Sequence, residues 1–289
     1  MIRSIPFPDI SPEIFTLRIG DFVLAPKWYA MAYIVGILVG WAIIAAAMRH
    51  PKLWPDDTAP MSPKSVEDLI TAIVVGVILG GRLGYVLFYQ PDYYLSHPLE
   101  ILYVWQGGMS FHGGLLGVGA AALWFSMRRG VPWRSLFDAL ALGTPVGLFL
   151  GRIANFINAE LWGAPTTLPW GVVFPGATAQ DCPGITGPCA RHPSQLYEAA
   201  LEGLLLGIII WVLGFALGKL KRPGFVAGIF LAGYALSRML VETVRQADAQ
   251  FVTPDNPAGN VLLGLSMGQL LSLPMLLLGL VLIVTARRQ

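Results

Sequence analysis

Leu136-Phe137-Asp138-Ala139-Leu140-Ala141-Leu142-Gly143-Thr144-Pro145-Val146-Gly147-Leu148-Phe149-Leu150-Gly151-Arg152-Ile153-Ala154-Asn155-Phe156 is a long apolar run interrupted by one carboxylate and one arginine. Its length is that of a helix crossing ~30 Å of hydrocarbon at about 1.5 Å per residue. The run continues through Ile157-Asn158-Ala159-Glu160-Leu161-Trp162-Gly163, so an arginine, two amides and a carboxylate cluster where it ends. An arginine at membrane depth costs at least ~2.5 kcal/mol on insertion scales unless something partners it. Chains keep such a residue where it faces a cavity, an ion or a polar ligand. The neighbouring amides can hydrogen-bond a phosphate or carbonyl that the arginine attracts.

The same apolar pattern recurs along the chain. Of the 289 residues 55% are hydrophobic and only 12% charged, about half the charged share of a soluble domain. Seven spans are expected: Trp28–Met48, Leu69–Tyr89, Met109–Met127, Leu136–Phe156, Leu196–Leu217, Phe225–Thr243 and Leu263–Ala286. The fold class is an all-α polytopic membrane protein. Basic residues set its orientation. The connections after the odd-numbered spans hold eleven of them and the alternate side five, while Arg82, Arg152 and Arg238 lie within spans. The amino terminus is therefore expected outside and the carboxyl terminus in the cytoplasm. The chain reads as one membrane domain over 1–289, with an external arm at 1–27 and a periplasmic cap at 158–191.

Met1–Lys27 carries Asp9, Glu13 and Asp21 and lacks the basic start and small-residue cleavage site of a signal peptide. Its apolar residues Ile14, Phe15, Leu17 and Ile19 fit an arm on the bilayer surface or a plain tether. The net charge of +2 is too small to imply a nucleic-acid partner. Cys182 and Cys189 flank Pro183, Gly184, Gly187 and Pro188, a composition that turns tightly. In an oxidising compartment they can form a local bridge or stay as thiols. No Cys/His spacing suits a metal, and no nucleotide-binding glycine loop or serine nucleophile motif is present.

The polar residues inside the spans are patterned. At about 100° per residue Tyr234, Arg238, Glu242 and Arg245 fall at about 0°, 40°, 80° and 20°, one narrow stripe. An Arg238–Glu242 pair eases insertion, yet Tyr234 and Arg245 on the same face point to a ligand. Arg152, Asn155 and Asn158 fall at about 0°, 300° and 240°, with Glu160 off that face and bracing the loop to Gly163. After Pro193, which suits a first helical turn, Gln195, Glu198 and Glu202 share an acidic stripe; the two carboxylates are expected to neutralise intramembrane arginines such as Arg82 and Arg152. Arg82, in Gly80-Gly81-Arg82-Leu83-Gly84, reads equally as support or ligand contact. Asp138 reads as structural, and Trp28-Tyr29 as an interfacial anchor. His112 lies between Gly107-Gly108 and Gly113-Gly114, with backbone exposed around it and a near-neutral ordinary pKa suited to proton abstraction. Several arginines converging toward the outer half of a bundle select a phosphate or carboxylate, and a phosphate within a membrane belongs most naturally to a phospholipid.

With these residues in place, the chain resembles the bacterial prolipoprotein diacylglyceryl transferases over almost its whole length. The likeness rests on Trp28-Tyr29, Gly80-Gly81-Arg82, Gly107-Gly108-Met109-Ser110-Phe111-His112-Gly113-Gly114, Gly151–Gly163, His192-Pro193-Ser194-Gln195-Leu196-Tyr197-Glu198 and Arg245-Gln246-Ala247-Asp248-Ala249-Gln250, in that order. Relatives usually carry proline at 247 and often glycine at 154; both departures are mild. The resemblance implies transfer of the diacylglyceryl group of phosphatidylglycerol to the lipobox cysteine of a preprolipoprotein at the bacterial inner membrane, with no cofactor. It also implies roles: Arg152 and Arg238 hold the phosphate, and His112 serves as base. Tyr29, Arg82, Asn155, Asn158, Glu160, Gly163, Tyr234, Glu242 and Arg245 would contact or shape the lipid site; Tyr29 becomes a site residue by resemblance alone. A carrier of anionic lipid headgroups would also want arginines in a cavity, but the paired halves common in transporters are not seen.

Overall fold

The computed structural model describes residues 4–287 except 21, 183, 248–250, 254, 257 and 258. Arg3, Asp21, Pro183, Asp248, Ala249, Gln250 and Arg288, which enter the sequence reading, lie outside the described residues. Seven long helices follow one another: α1 (Trp28–Met48), α2 (Ser65–Phe88), α3 (Phe111–Arg129), α4 (Trp133–Ile157), α5 (Ser194–Ala216), α6 (Phe225–Glu242) and α7 (Met267–Thr285). Among the described residues, six of them, all but α3, are long and apolar enough to cross a membrane. The third expected span is thus a helix of 19 residues whose composition falls short. Glycines, His112, and Arg128 and Arg129 in its last turn dilute its apolar content.

Helix ends follow local chemistry. Ser110 caps α3 by accepting from the Gly113 amide at 3.2 Å, and Gly130 ends it in the left-handed conformation (φ 65°). Ser266 and Gln269 form a reciprocal capping box at the start of α7. Asp138 supports α6 from a neighbouring helix: its carboxylate accepts from the Gly224 and Ala227 amides at 2.6 and 2.7 Å. These are orphan donors of a helix N-terminus, where a carboxylate also suits the helix dipole.

Glycines let the helices touch through their backbones. On α2, Gly76, Gly80 and Gly84 face Gly113 and Gly117 of α3; a Cβ at Gly117 would meet the Gly76 carbonyl, and one at Gly113 the Gly80 carbonyl. Gly36 and Gly40 of α1 meet Gly147 and Gly143 of α4, and Gly228 of α6 meets Gly279 of α7. Lipid offers apolar side chains no gain over one another, so close backbone packing of small residues supplies the attraction. The α2 seam is also what seats α3, despite its weaker apolar character.

The bundle has two different ends. One is a buried apolar core built from Ile44, Met48, Trp54, Leu69, Phe125, Leu136, Leu142 and Leu220. The other gathers the last turns of α4 and α6 and the first turns of α5 under a cap. In the cap, β1 (Ile5–Pro6) pairs in parallel with β4 (Val172–Val173), and Phe7 packs tilted against Phe156 and Phe174, ring centroids 5.3 and 5.5 Å away. Residues 5–7 of the arm are therefore tied to the cap. Further along, β2 (Leu17–Ile19) and β3 (Phe22–Leu24) form a hairpin that exposes Leu17, Ile19, Val23 and Leu24.

Gly117→Val is expected to cost about 1–3 kcal/mol or more, because its side chain must displace α2 backbone. Gly119→Ala, whose Cβ enters open space, is expected to be neutral or slightly stabilising. Thermal unfolding of the purified protein in detergent compares the two.

Candidate active site

Three helices deliver the site. α4 contributes Arg152 and Asn155 from its last turns, with Asn158 as its C-cap. α6 contributes Tyr234, Arg238 and Glu242, and Arg245 follows its end. α5 contributes Glu198 and Glu202, the latter within a π-helical stretch, Ala199–Leu205. Wide π turns of this kind occur mostly at functional positions.

Glu198, fully buried, is the hub. It lies 2.7 Å from Arg238 Nη1, 2.9 Å from Arg245 Nη1 and 3.2 Å from Arg152 Nε. Glu242 takes Arg238 Nη2 at 2.9 Å and Arg245 Nε at 3.5 Å, while Glu202 stands 3.6 Å from Arg152 Nη2. Three guanidiniums and three carboxylates thus balance. Glu198 and Glu202 are wholly covered, whereas the arginine side chains keep 15–19% of their surface exposed. Glu198 and Glu202 sit behind, and the cations, with Glu242 beside them at 13% exposure, form the accessible face. The i,i+4 pairing of Arg238 and Glu242 is present as the stripe on α6 required, but it is one part of a larger network.

The expectation that Glu198 and Glu202 neutralise Arg82 and Arg152 holds for Arg152 alone. Arg82 is buried elsewhere: its guanidinium donates to the carbonyls of Glu100, Ile101, Gly107 and Gly108 and lies over the Tyr94 ring. Those four carbonyls satisfy the cation and tie the segment between α2 and α3 to α2. Periodicity within one helix cannot reveal a partner on a loop.

Glu160 organises the amides. Its Oε1 accepts from Asn155 Nδ2 at 2.8 Å and from Asn158 Nδ2 at 3.3 Å. Ala159 and Leu161 on either side adopt positive φ, 53° and 58°, a strained choice for residues with a Cβ. Such outliers persist where the surroundings impose them, and here they turn Glu160 back toward the amides. Tyr29 has Glu160 and Arg152 as its charged neighbours and shares a 3.1 Å hydrogen bond with Tyr33. Tyr234 lies beside Arg152 and Glu202.

The cap is locked onto this site. Gly163 donates to the His192 carbonyl at 2.8 Å and pairs with Arg245; a Cβ there would meet Val244 and His192. Arg191 is the chief tie. It donates to the carbonyls of Ala179, Gly163 and Asp181 and to Gln246 Oε1, and stacks 4.0 Å from the Trp162 ring centroid. Burial lowers its pKa, against the opposing pull of Asp181, and burial likewise lowers that of His192. Cys182 and Cys189 are joined as a disulfide, closing the loop that Gln180 brackets through Phe174 and Cys189.

His112 lines a groove with Phe88, Tyr89, Ser110, Gly113 and Leu116, a lining that holds none of the three arginines.

A model of the prolipoprotein diacylglyceryl transferase family matches residues 15–285. The chain belongs to the prolipoprotein diacylglyceryl transferase family. It is 60% identical to the phosphatidylglycerol–prolipoprotein diacylglyceryl transferase of Roseobacter denitrificans, over 99% of both chains. Identity is 59% to the protein of that name from Ruegeria pomeroyi (97% of both), and 49% to that of Mesorhizobium japonicum (99% of this chain, 94% of the relative). Its apolar helices and these bacterial relatives make this member of the family a multi-pass membrane protein.

Two outcomes follow. Glu198→Gln removes a fully buried charge shared by three half-buried arginines and is expected to cost about 3 kcal/mol, read by thermal unfolding in detergent. Alkylating the unfolded protein is expected to add two groups at Cys182 and Cys189 after reduction and none before, as read by intact mass.

Proposed function

We propose that this chain transfers the sn-1,2-diacylglyceryl group of phosphatidylglycerol to the lipobox cysteine of preprolipoproteins, forming a thioether and releasing glycerol 1-phosphate. The carrying observation is the convergence of Arg152, Arg238 and Arg245 on Glu198 beneath the cap, in a member of this family. The named relatives support the donor and the acceptor.

The thiol attacks the glyceryl carbon as thiolate. As the C–O bond breaks, the departing phosphate gains charge, so guanidiniums aimed at it favour the transition state over the ground state. Arg152 and Arg238 hold the phosphate, presented by carboxylates that keep them fixed without consuming their exposed faces. Asn155 and Asn158, oriented by Glu160, bind the headgroup oxygens, and Tyr29, Tyr234, Glu242, Arg245 and Gly163 complete the wall. Arg82 contributes by holding the segment that leads to His112. No cofactor is needed, because the phosphodiester is itself a leaving group.

The seven-span reading belongs with this function: α3 is seated against α2 within the membrane, the amino terminus and cap face the periplasm, and the carboxyl terminus is cytoplasmic. The basic residues on the opposite side support this orientation. The enzyme then sits in the inner membrane, as one domain with its polar site at the outer leaflet, where lipid and exported lipoprotein meet.

Incubating the purified protein with labelled phosphatidylglycerol and a lipobox peptide is expected to yield labelled thioether peptide. Arg152→Ala and Arg238→Ala are each expected to lower turnover by at least ~10²-fold while the protein still inserts. Near-normal turnover in either variant would remove the phosphate-clamp assignment, and movement of intact lipid without product would point to a carrier.

A further inference from the structure

The reaction needs a group to take the thiol proton, and the cluster contains a carboxylate the phosphate clamp does not use. Glu202 is wholly buried in the π-helical part of α5, and among the described residues neither of its oxygens accepts a hydrogen bond. Its ion-pair contact, to Arg152 Nη2 at 3.6 Å, is the longest in the network. Glu198, by contrast, is held at 2.7 and 2.9 Å, and Glu242 at 2.9 Å. The groups facing Glu202 are Arg152 from α4, Glu198 from its own helix, Tyr234 and Arg238 from α6, and Arg245 beyond it.

Charge balance then decides. Arg152, Arg238 and Arg245 already equal Glu198, Glu202 and Glu242 in charge, and the donor brings a phosphodiester anion. An unbalanced charge in so buried a place costs several kcal/mol. As Arg152 turns its outer nitrogen to the phosphate, Glu202 loses its nearest cation, the ion pair at 3.6 Å. A buried carboxylate without a partner relieves its cost by taking a proton.

We propose that Glu202 is the proton acceptor of the transfer, an assignment that rests on the diacylglyceryl-transfer reading above. The S–H bond breaks and its proton forms an O–H bond on Glu202. The sulfur pair forms the S–C bond to the glyceryl carbon, and the C–O bond breaks with its pair on the phosphate oxygen. The released monoester carries one more negative charge than the diester did, and it takes the proton from Glu202 as it leaves. The cluster returns to its starting balance. In this assignment the base is Glu202 and not His112.

The test compares two acceptor peptides that differ in one atom, the lipobox cysteine and its selenocysteine analogue, whose selenol ionises at neutral pH unaided. Glu202→Gln is expected to slow transfer to the thiol peptide by ~10²–10⁴-fold at neutral pH. Its rate should climb with pH toward the thiol's own value of about 8.5, and the selenocysteine peptide should restore most of it. The KM for phosphatidylglycerol stays near that of the unmodified protein. Glu202→Asp, which keeps a carboxylate, should fall between, with a smaller preference for selenol, and serves alone if the Gln variant does not insert. Wild-type turnover of the thiol by Glu202→Gln would overturn the assignment. So would a loss equal for both nucleophiles at every pH, which would leave Glu202 as a support for Arg152. A selenol preference created by His112→Gln and not by Glu202→Gln would give the role to the histidine. Failure of the unmodified protein to transfer to either peptide would instead remove the reaction reading.

Discussion

One buried carboxylate shared by three guanidiniums is the constraint on which the polar end of this protein depends. Glu198 has no exposed surface, and Arg152 of α4, Arg238 of α6 and Arg245 just beyond α6 reach it. Isolated, each of these charges would be costly in hydrocarbon. Together they are affordable only if α4, α5 and α6 end at the same depth and in one relative rotation. The network therefore acts as a gauge on helix placement as well as a source of positive charge.

Two other devices make that placement possible. Glycine seams between α1 and α4, α2 and α3, and α6 and α7 bring backbones into contact, so helix pairs form without help from water. At the far end an apolar core around Trp54, Leu136 and Leu142 fixes the opposite turns of the same helices. The Asp138 carboxylate capping α6 couples α4 to α6 there, as the arginines do at the other end. Arg191 and the closed Cys182–Cys189 loop then press the cap onto Gly163 and Gln246, which covers the cluster on one side and leaves the guanidinium faces accessible.

Some of this was legible from the residues in order. The expense of Arg152 and the stripe Tyr234–Arg238–Glu242–Arg245 identify helices that must face something polar, because helical period maps directly onto one face. The bracing role of Glu160 also follows, since its partners are only two and five residues away. What residue order hides shares a cause. Helical period suggests a distant carboxylate for Arg82, whereas backbone carbonyls on the following loop satisfy it. The charge of Arg191 tells its side of the bundle and not that it is a buried tie. The span at α3 was judged by its length and low charge, while its place depends on glycines matched to those of α2.

The sequence by itself determined that the chain is a helical membrane protein with arginines set within its apolar helices, and its motif order pointed to the family. These properties are local: hydropathy, period and spacing act within about 20 residues. Only the tertiary structure decided which carboxylate answers which arginine. That depends on helix rotation and depth, and neither is encoded in any one segment. It is why Glu198 emerges as the hub and Glu202 as the loosely held carboxylate beside it.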